Sequence, residues 1–508
     1  MEPTNRIIVN TIAQYLKAVI NTVLALYSTR PILDALQVSD YGIYTVVGGV
    51  VAMLGFITNA LVITTQRYIS YYHGHGISEE ARSVFANSLV LHVFLGALLM
   101  IVLLLPKDWI IHHILNIPSN RIIVAGHIYV ITTFMLFFTI LYAPFKALFI
   151  ARENIIYIAL VEIADAVIKF ILAINLVHIN ADKLLVYAVL MGVIVVANFL
   201  AFSIYASAKF EECTVFISPK EIKKNTMRQL LGFAGWTTYG MGAVAGRNQG
   251  TAVVLNHFFG TSVNAAYGIA FQIYGAVAFV VTSLLNAMNP QIMKLEGGKE
   301  REKMLSMAGK ESKYSVALLA IATLPLIIEM PAILDAWLKE VPPYTSLFCR
   351  FVLISFLCDQ LTMGLQTAIQ ATGQIRSYTL LIYTPKLLFV PVIWIMFQYD
   401  YSILSMMVLF FLVELFVALI RIPYCKLKIN LSISNYVRDV IIPQIPLCSL
   451  ICIVGIACST CLNFPIRFVL TYIVSAVTGI FSAWLFILNK GEKHYVKQLF
   501  MKRIHAHD

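Results

Sequence analysis

Charge is scarce in this chain. Only 12% of its 508 residues are Asp, Glu, Lys or Arg, about half the roughly 25% of soluble domains, and a soluble multidomain fold is excluded on that ground. Cysteine is sparse too: of eight, only Cys458 and Cys461 stand at C-x2-C spacing. Without a second pair or a His partner, and at the end of an apolar helix, they read as two small hydrophobes rather than a redox or metal site. The sequence contains no G-x-x-x-x-G-K-[ST] phosphate loop, dinucleotide fingerprint or H-E-x-x-H motif, so ATP hydrolysis and the commoner enzyme chemistries lack their parts. No cofactor or metal is expected, and the chain is read as a non-enzyme.

What fills the chain instead is apolar: 59% of residues are hydrophobic and mean hydropathy is +0.81. A span needs about 20 mostly apolar residues to cross the hydrocarbon core. About fourteen such segments are present by that measure, starting near Ile7, Tyr41, Val84, Ile122, Ile155, Leu184, Leu230, Asn264, Ser315, Leu347, Tyr378, Ile403, Val440 and Ile466. The expected fold is an all-α polytopic membrane protein. The first span has no small-residue cleavage site behind it and reads as a retained helix.

Most of the 37 Lys and Arg fall in the termini and in alternate loops, which by the positive-inside rule predicts cytoplasmic termini. The largest inside loops, 209–228 and 294–313, are basic on balance. Topology and lipid headgroups account for the net charge of +11 without nucleic acid.

Tyr41-Gly42-Ile43 followed by Gly49 recurs as Tyr267-Gly268-Ile269 followed by Gly275, each near the outer start of an even-numbered span. Two six-span halves of equal orientation predict a parallel repeat. The domains follow: an N-lobe at 1–208 with spans 1–6, a basic cytoplasmic linker at 209–228, a C-lobe at 229–436 with spans 7–12, and spans 13–14 with a basic cytoplasmic tail at 437–508.

Polar residues inside spans are expensive and mark function or pairing. In the first span Asn10, Gln14, Lys17, Asn21 and Ser28 share one helical stripe. In the tenth, Asp359, Thr362, Gln366 and Gln370 do the same. The fifth carries Glu162, Asp165 and Lys169, the last two an i,i+4 pair able to neutralise each other. Lys17, Arg247 and Lys386 have no acid within a turn, which predicts three unpaired cations and a positively lined cavity. Gly242, Gly246 and Gly250 form a small-residue ladder beside Arg247. Pro325 and Pro331 in the ninth span, and Pro385 and Pro391 in the eleventh, predict kinks there.

Several strings resemble bacterial Wzx-type polysaccharide flippases. They are Asn10-Thr11, Asp40-Tyr41-Gly42-Ile43-Tyr44 with Val46-Val47-Gly48-Gly49-Val50-Val51, Thr65-Gln66-Arg67, Gly246-Arg247-Asn248-Gln249-Gly250, Leu255-Asn256 with Phe258-Phe259-Gly260, Asn264-Ala265-Ala266 with Gly268-Ile269-Ala270, and Asn289-Pro290-Gln291-Ile292. Such flippases belong to the multidrug/oligosaccharidyl-lipid/polysaccharide (MOP) exporter superfamily, with MurJ and the MATE drug exporters. The resemblance implies two six-helix lobes plus two C-terminal helices, placed in a bacterial inner membrane and working by alternating access. It implies as substrate an oligosaccharide on undecaprenyl pyrophosphate, flipped to the outer leaflet for O-antigen, capsule or exopolysaccharide synthesis. A polysaccharide polymerase and other assembly proteins are the partners it suggests, together with the lipid bilayer.

On this reading Lys17, Arg67, Arg247 and Lys386 meet the pyrophosphate, and Asn10, Gln14, Asn21, Asn248 and Gln249 meet sugar hydroxyls. Asp359 or Glu414 is the candidate ion-coupling residue, with pairing between Asp359 and Lys386 as its rival. Two other classes compete: a MATE-like exporter, which needs an acidic cavity for cationic drugs, and a membrane-embedded polymerase or glycosyltransferase, which needs indispensable carboxylates.

Overall fold

The computed structural model describes residues 3–52, 54–115, 117–213, 218, 221–338, 340–461 and 466–494. Part of the basic linker and the basic tail beyond residue 494 lie outside the described residues. Helices α1 (Pro3–Ala52), α2 (Gly55–Gly74), α3 (Ser78–Leu104), α4 (Lys107–Trp109), α5 (Ile122–Ala151), α6 (Ile155–Asn175) and α7 (Lys183–Lys209) lead to the long α8 (Lys224–Gly297). Then come α9 (Arg301–Ile328), α10 (Met330–Trp337), α11 (Thr345–Gln360), α12 (Met363–Thr372), α13 (Arg376–Gln398) and α14 (Ile403–Ile429). The last are α15 (Ile433–Tyr436), α16 (Gln444–Cys461) and α17 (Arg467–Ser482). No strand occurs among the described residues, as hydrocarbon requires of a span that must satisfy its own backbone.

Among the described residues, nine helices are long and apolar enough to cross a membrane, or ten if the bent pair α11 and α12 is one span. The difference from the expected fourteen is local. The bound counts α8 once, although Gly260 (φ +81°, ψ −175°) divides it between the seventh and eighth expected spans. Helix α6 carries Glu162, Asp165 and Lys169 and is too charged to qualify. The first two expected spans share α1, which is broken at Gln37 (φ 59°, ψ 166°), and lie outside the nine. Each copy of the repeated motif follows a residue of positive φ and extended ψ, Gln37 four residues before Tyr41 and Gly260 seven before Tyr267.

Two compact units emerge. One comprises residues 1–242 with 289–300 and the other 243–288 with 301–508, so two boundaries fall inside α8 and the third just before α9. In the first unit α1 packs on α6, while α2, α3 and α7 pack on α5, around a core that includes Leu36, Val47, Ile128 and Tyr129. In the second, α11 packs on α14, and α9 packs on α12, α16 and α17. Its core runs through Leu255, Phe348, Phe389 and Met407.

The ninth span breaks between its two prolines: α9 contains Pro325 and ends at Ile328, and α10 begins at Met330 with Pro331 in its first turn, while α13 continues through both Pro385 and Pro391. The tenth span is also bent, by 49° between Gln360 and Met363, where there is no proline. The glycine ladder serves packing: a Cβ on Gly246 would lie 3.4 Å from Leu387, and one on Gly250 would lie 2.9 Å from Val390.

Candidate functional site

A buried ionic cluster occupies the second unit. Glu414 on α14 accepts from Arg247 on α8 and from Lys386 Nζ on α13, the latter at 2.8 Å. Asp359, at the end of α11, lies 2.8 Å from Arg421 Nη1 and 4.0 Å from Lys386 Nζ. Arg421 Nη1 also donates to the backbone oxygen of Asp359 at 3.1 Å and to Thr362 Oγ1 at 3.3 Å, while Nη2 donates to Gln366 Oε1 at 3.2 Å. One guanidinium thus contacts three groups at the break of the bent span, including the Asp359 carbonyl, which also accepts from Thr362 N at 3.3 Å. Arg247 packs over the Phe410 ring at 4.6 Å and donates through Nε to Asn248 Oδ1 at 3.2 Å.

These residues line a cavity of about 150 Å³, closed on other sides by Tyr274, Tyr383 and Phe356. Three cations face two carboxylates, which leaves one positive charge in excess when all are ionised. Arg247, Lys386, Glu414 and Arg421 are all under a tenth exposed, so each interaction acts where water screens it little.

Sequence spacing predicted unpaired cations, and this is corrected in all three cases. Arg247 and Lys386 share Glu414, and Lys17 meets Glu162 Oε2 at 2.8 Å in the first unit. Each partner lies on another helix, beyond the reach of a search within one turn. Glu162 also accepts from Lys146 at 2.9 Å. Asp165 pairs with Lys169 at 2.8 Å as expected and accepts from Asn198 at 2.7 Å.

The other expected site residues divide between the units. Asn248 lines the cavity, whereas Gln249, the next residue of α8 and so about 100° round the helix, is exposed and outside its lining. Asn10 is buried and donates to the Glu153 carbonyl at 3.1 Å, where the chain turns from α5 to α6 with φ +60°. Gln14 is buried, and Asn21 is half-buried with its Oδ1 lacking a hydrogen bond among the described residues. Arg67 on α2 is buried against aromatic rings, 4.3 Å from the Tyr68 centroid, 4.8 Å from Tyr71 and 5.7 Å from Phe233.

Arg421 was missed. Its signal was available: it lies seven residues after Glu414, two turns along the same face of α14. Lys146 carried no such cue, since its acid lies on another helix.

Comparisons with known proteins locate the fold. No protein-family model matches the sequence, and no curated protein matches it. Solved structures do: a MATE protein in its bent conformation aligns at a TM-score of 0.74 and 13% identity, covering 86% of this chain and 96% of the other. A MOP superfamily transporter from Pyrococcus furiosus, described as having a binding pocket of reverse polarity that suggests a different function, aligns at 0.72 and 13%, covering 86% and 97%. An outward-facing multidrug resistance MATE transporter aligns at 0.68 and 14%, with the same coverage. The fold is therefore the one these MATE and MOP transporter structures share.

Proposed function

We propose that this protein is a MOP-type transporter that moves a polyprenyl-pyrophosphate-linked oligosaccharide from the cytoplasmic to the outer leaflet by alternating access. The observation that carries the reading is the excess of buried cations at the second-unit cavity. Arg247 and Lys386 converge on a single carboxylate, so an incoming diphosphate, with more acceptor oxygens than Glu414 offers, can compete for both. A cavity of about 150 Å³ is well below the roughly 300–1,000 Å³ of a drug-sized site. It suits a phosphate group rather than a whole glycan. The strings shared with Wzx-type flippases point the same way, and Asn248 beside Arg247 supplies an amide for a first sugar.

A second reading has its own support. Glu414 is a buried acid and Asp359 a partly buried one in a MATE-like fold, and a MATE-like exporter would use such acids for a cation. The two readings part on ligand charge. Thermal unfolding of the purified protein is expected to shift upward with polyprenyl pyrophosphate and to remain unmoved by a lipophilic organic cation, because only a ligand bound to the native state stabilises it. The opposite pattern would transfer the assignment to drug export.

A further inference from the structure

Glu311, on α9, belongs to none of the charge networks above. It is fully buried. Oε1 accepts from Thr367 Oγ1 of α12 at 2.9 Å, and Oε2 has no hydrogen-bond partner among the described residues. The titratable groups on the elements packed against α9 are engaged elsewhere. Asp359 of α11 pairs with Arg421, Asp439 after α15 with Arg438, and Glu329 before α10 with Thr471 and Arg467. On α9 itself Lys310 reaches Glu492 at 3.7 Å. Tyr436 of α15 donates to the Leu361 carbonyl, α16 offers Cys448 and Cys452, and α17 offers Tyr472. Lys313 and Tyr314 follow Glu311 on its own helix, yet no cation lies within ion-pair distance of it among the described residues. An ionised carboxylate there would face neither water nor a counter-ion, whereas the carboxylic acid can use its O–H.

The position of this group matters because of what it touches. Helix α12 is the second half of the bent span. It meets α9 so closely that a Cβ on Gly364 would fall 1.9 Å from the Ala308 carbonyl oxygen, and Gly364 N donates to Ser312 Oγ at 2.9 Å. The Ala308, Ser312 and Glu311 contacts form one seam, and Glu311 is its only ionisable member. The same span carries Asp359, Thr362 and Gln366 to Arg421. We propose that Glu311 is a proton-binding site whose protonation sets the packing of α12 on α9, and through it the arrangement of the ionic cluster at the break. This rests on the transporter reading for its purpose: proton entry and exit would couple to movement of the cavity residues. It also moves the coupling role from Asp359 and Glu414, each compensated by cations, to a carboxyl group that has none.

The test needs no substrate. Purified protein in lipid is titrated while infrared difference spectra follow the protonated carboxyl stretch, and hydrogen–deuterium exchange follows peptides covering α12. The expected result is a titrating carboxyl band that Glu311→Gln abolishes, with exchange in α12 that depends on pH beyond the intrinsic chemistry in wild type and not in the variant. Should Glu311→Gln fail to fold, Thr367→Val removes the hydroxyl that Oε1 accepts and is expected to move the midpoint of the band. Spectra of Glu311→Gln that retain the band, a Thr367→Val midpoint unchanged, or α12 exchange with the same pH profile in both proteins would overturn the proposal. A titrating Glu311 in a protein that moves no polyprenyl lipid would uphold this site and remove the flippase reading.

Discussion

Arg421 holds Asp359 twice, through the carboxylate at 2.8 Å and through the backbone carbonyl at 3.1 Å. The second contact ties α14 to the break of the tenth span. The Asp359 carbonyl there accepts a long bond from Thr362 N, at 3.3 Å, and a fully buried guanidinium with five N–H groups adds a second donor to it while holding the carboxylate. Lys, a point charge with three donors, is not its equivalent.

Arg421→Lys is therefore expected to lower stability by about 2 kcal/mol and Arg421→Ala by about 4 kcal/mol, since removing one partner strands a buried charge. Thermal unfolding in detergent measures the order. A conservative replacement as benign as a surface change would show that the break does not depend on this side chain.

Glu414 compensates two cations, so its loss should cost more than the loss of either. Glu414→Gln is expected to destabilise by about 3–5 kcal/mol. Adding Lys386→Met to it should restore part of that. A double-mutant cycle reads the coupling directly, and additive effects would contradict the shared pairing.

In the first unit the same logic ranks three variants. Glu162 meets both Lys17 and Lys146 and is partly exposed, so screening reduces the effect. Glu162→Gln is expected to cost about 1–2 kcal/mol, more than Lys17→Met or Lys146→Met, each of which leaves Glu162 one lysine. Equal costs in all three would mean that Lys146 and Lys17 do not share the acid.

The seam between α9 and α12 makes a steric prediction. Gly364→Ala places a methyl against the Ala308 carbonyl and is expected to cost about 3 kcal/mol. At Gly232, where an added Cβ meets nothing within 4 Å, the same substitution should be neutral or stabilising by up to about 1 kcal/mol. Expression and thermal unfolding of the pair compare the two sites.

Outside the spans, Glu212 gives a pH signature. Burial opposes its ionisation, but the His73 hydrogen bond, with Arg152 beside it, more than reverses this and holds the carboxyl below its ordinary 4.5. A depressed carboxylate contributes stability that is present above its unfolded pKa and lost as pH falls through the folded one. Proteolysis near residues 210–213 should therefore rise in that acidic window, and Glu212→Gln should abolish the rise.

Helical content, membrane character and the paired Asp165 and Lys169 were legible because they depend on composition and on spacing within one helix. The stripe Asp359, Thr362 and Gln366 was legible as well, but its reason was not: its common partner, Arg421, lies on α14. For the same reason Lys17, Arg247 and Lys386 looked unpaired, since charge compensation between helices leaves no mark at short spacing. The break of the ninth span between Pro325 and Pro331 was legible from proline, whereas the bend of the tenth, which has no proline, lies where Arg421 reaches across from α14 and Gly364 permits contact with α9. The polar stripe of the first span was legible too, but not that Asn10 within it reaches the Glu153 carbonyl at the turn between α5 and α6.

The proposed flipping of a pyrophosphate-linked glycolipid through a cationic site is open to a translocation measurement: a fluorescent polyprenyl-pyrophosphate oligosaccharide in proteoliposomes, with a membrane-impermeant quencher reporting sidedness. The expected result is exchange faster than in protein-free vesicles and reduced at least about tenfold, equivalent to 1.4 kcal/mol, in Arg247→Ala reconstituted to the same level. Exchange no faster than in empty vesicles would contradict the transport claim. Rapid exchange indifferent to Arg247→Ala would contradict the site.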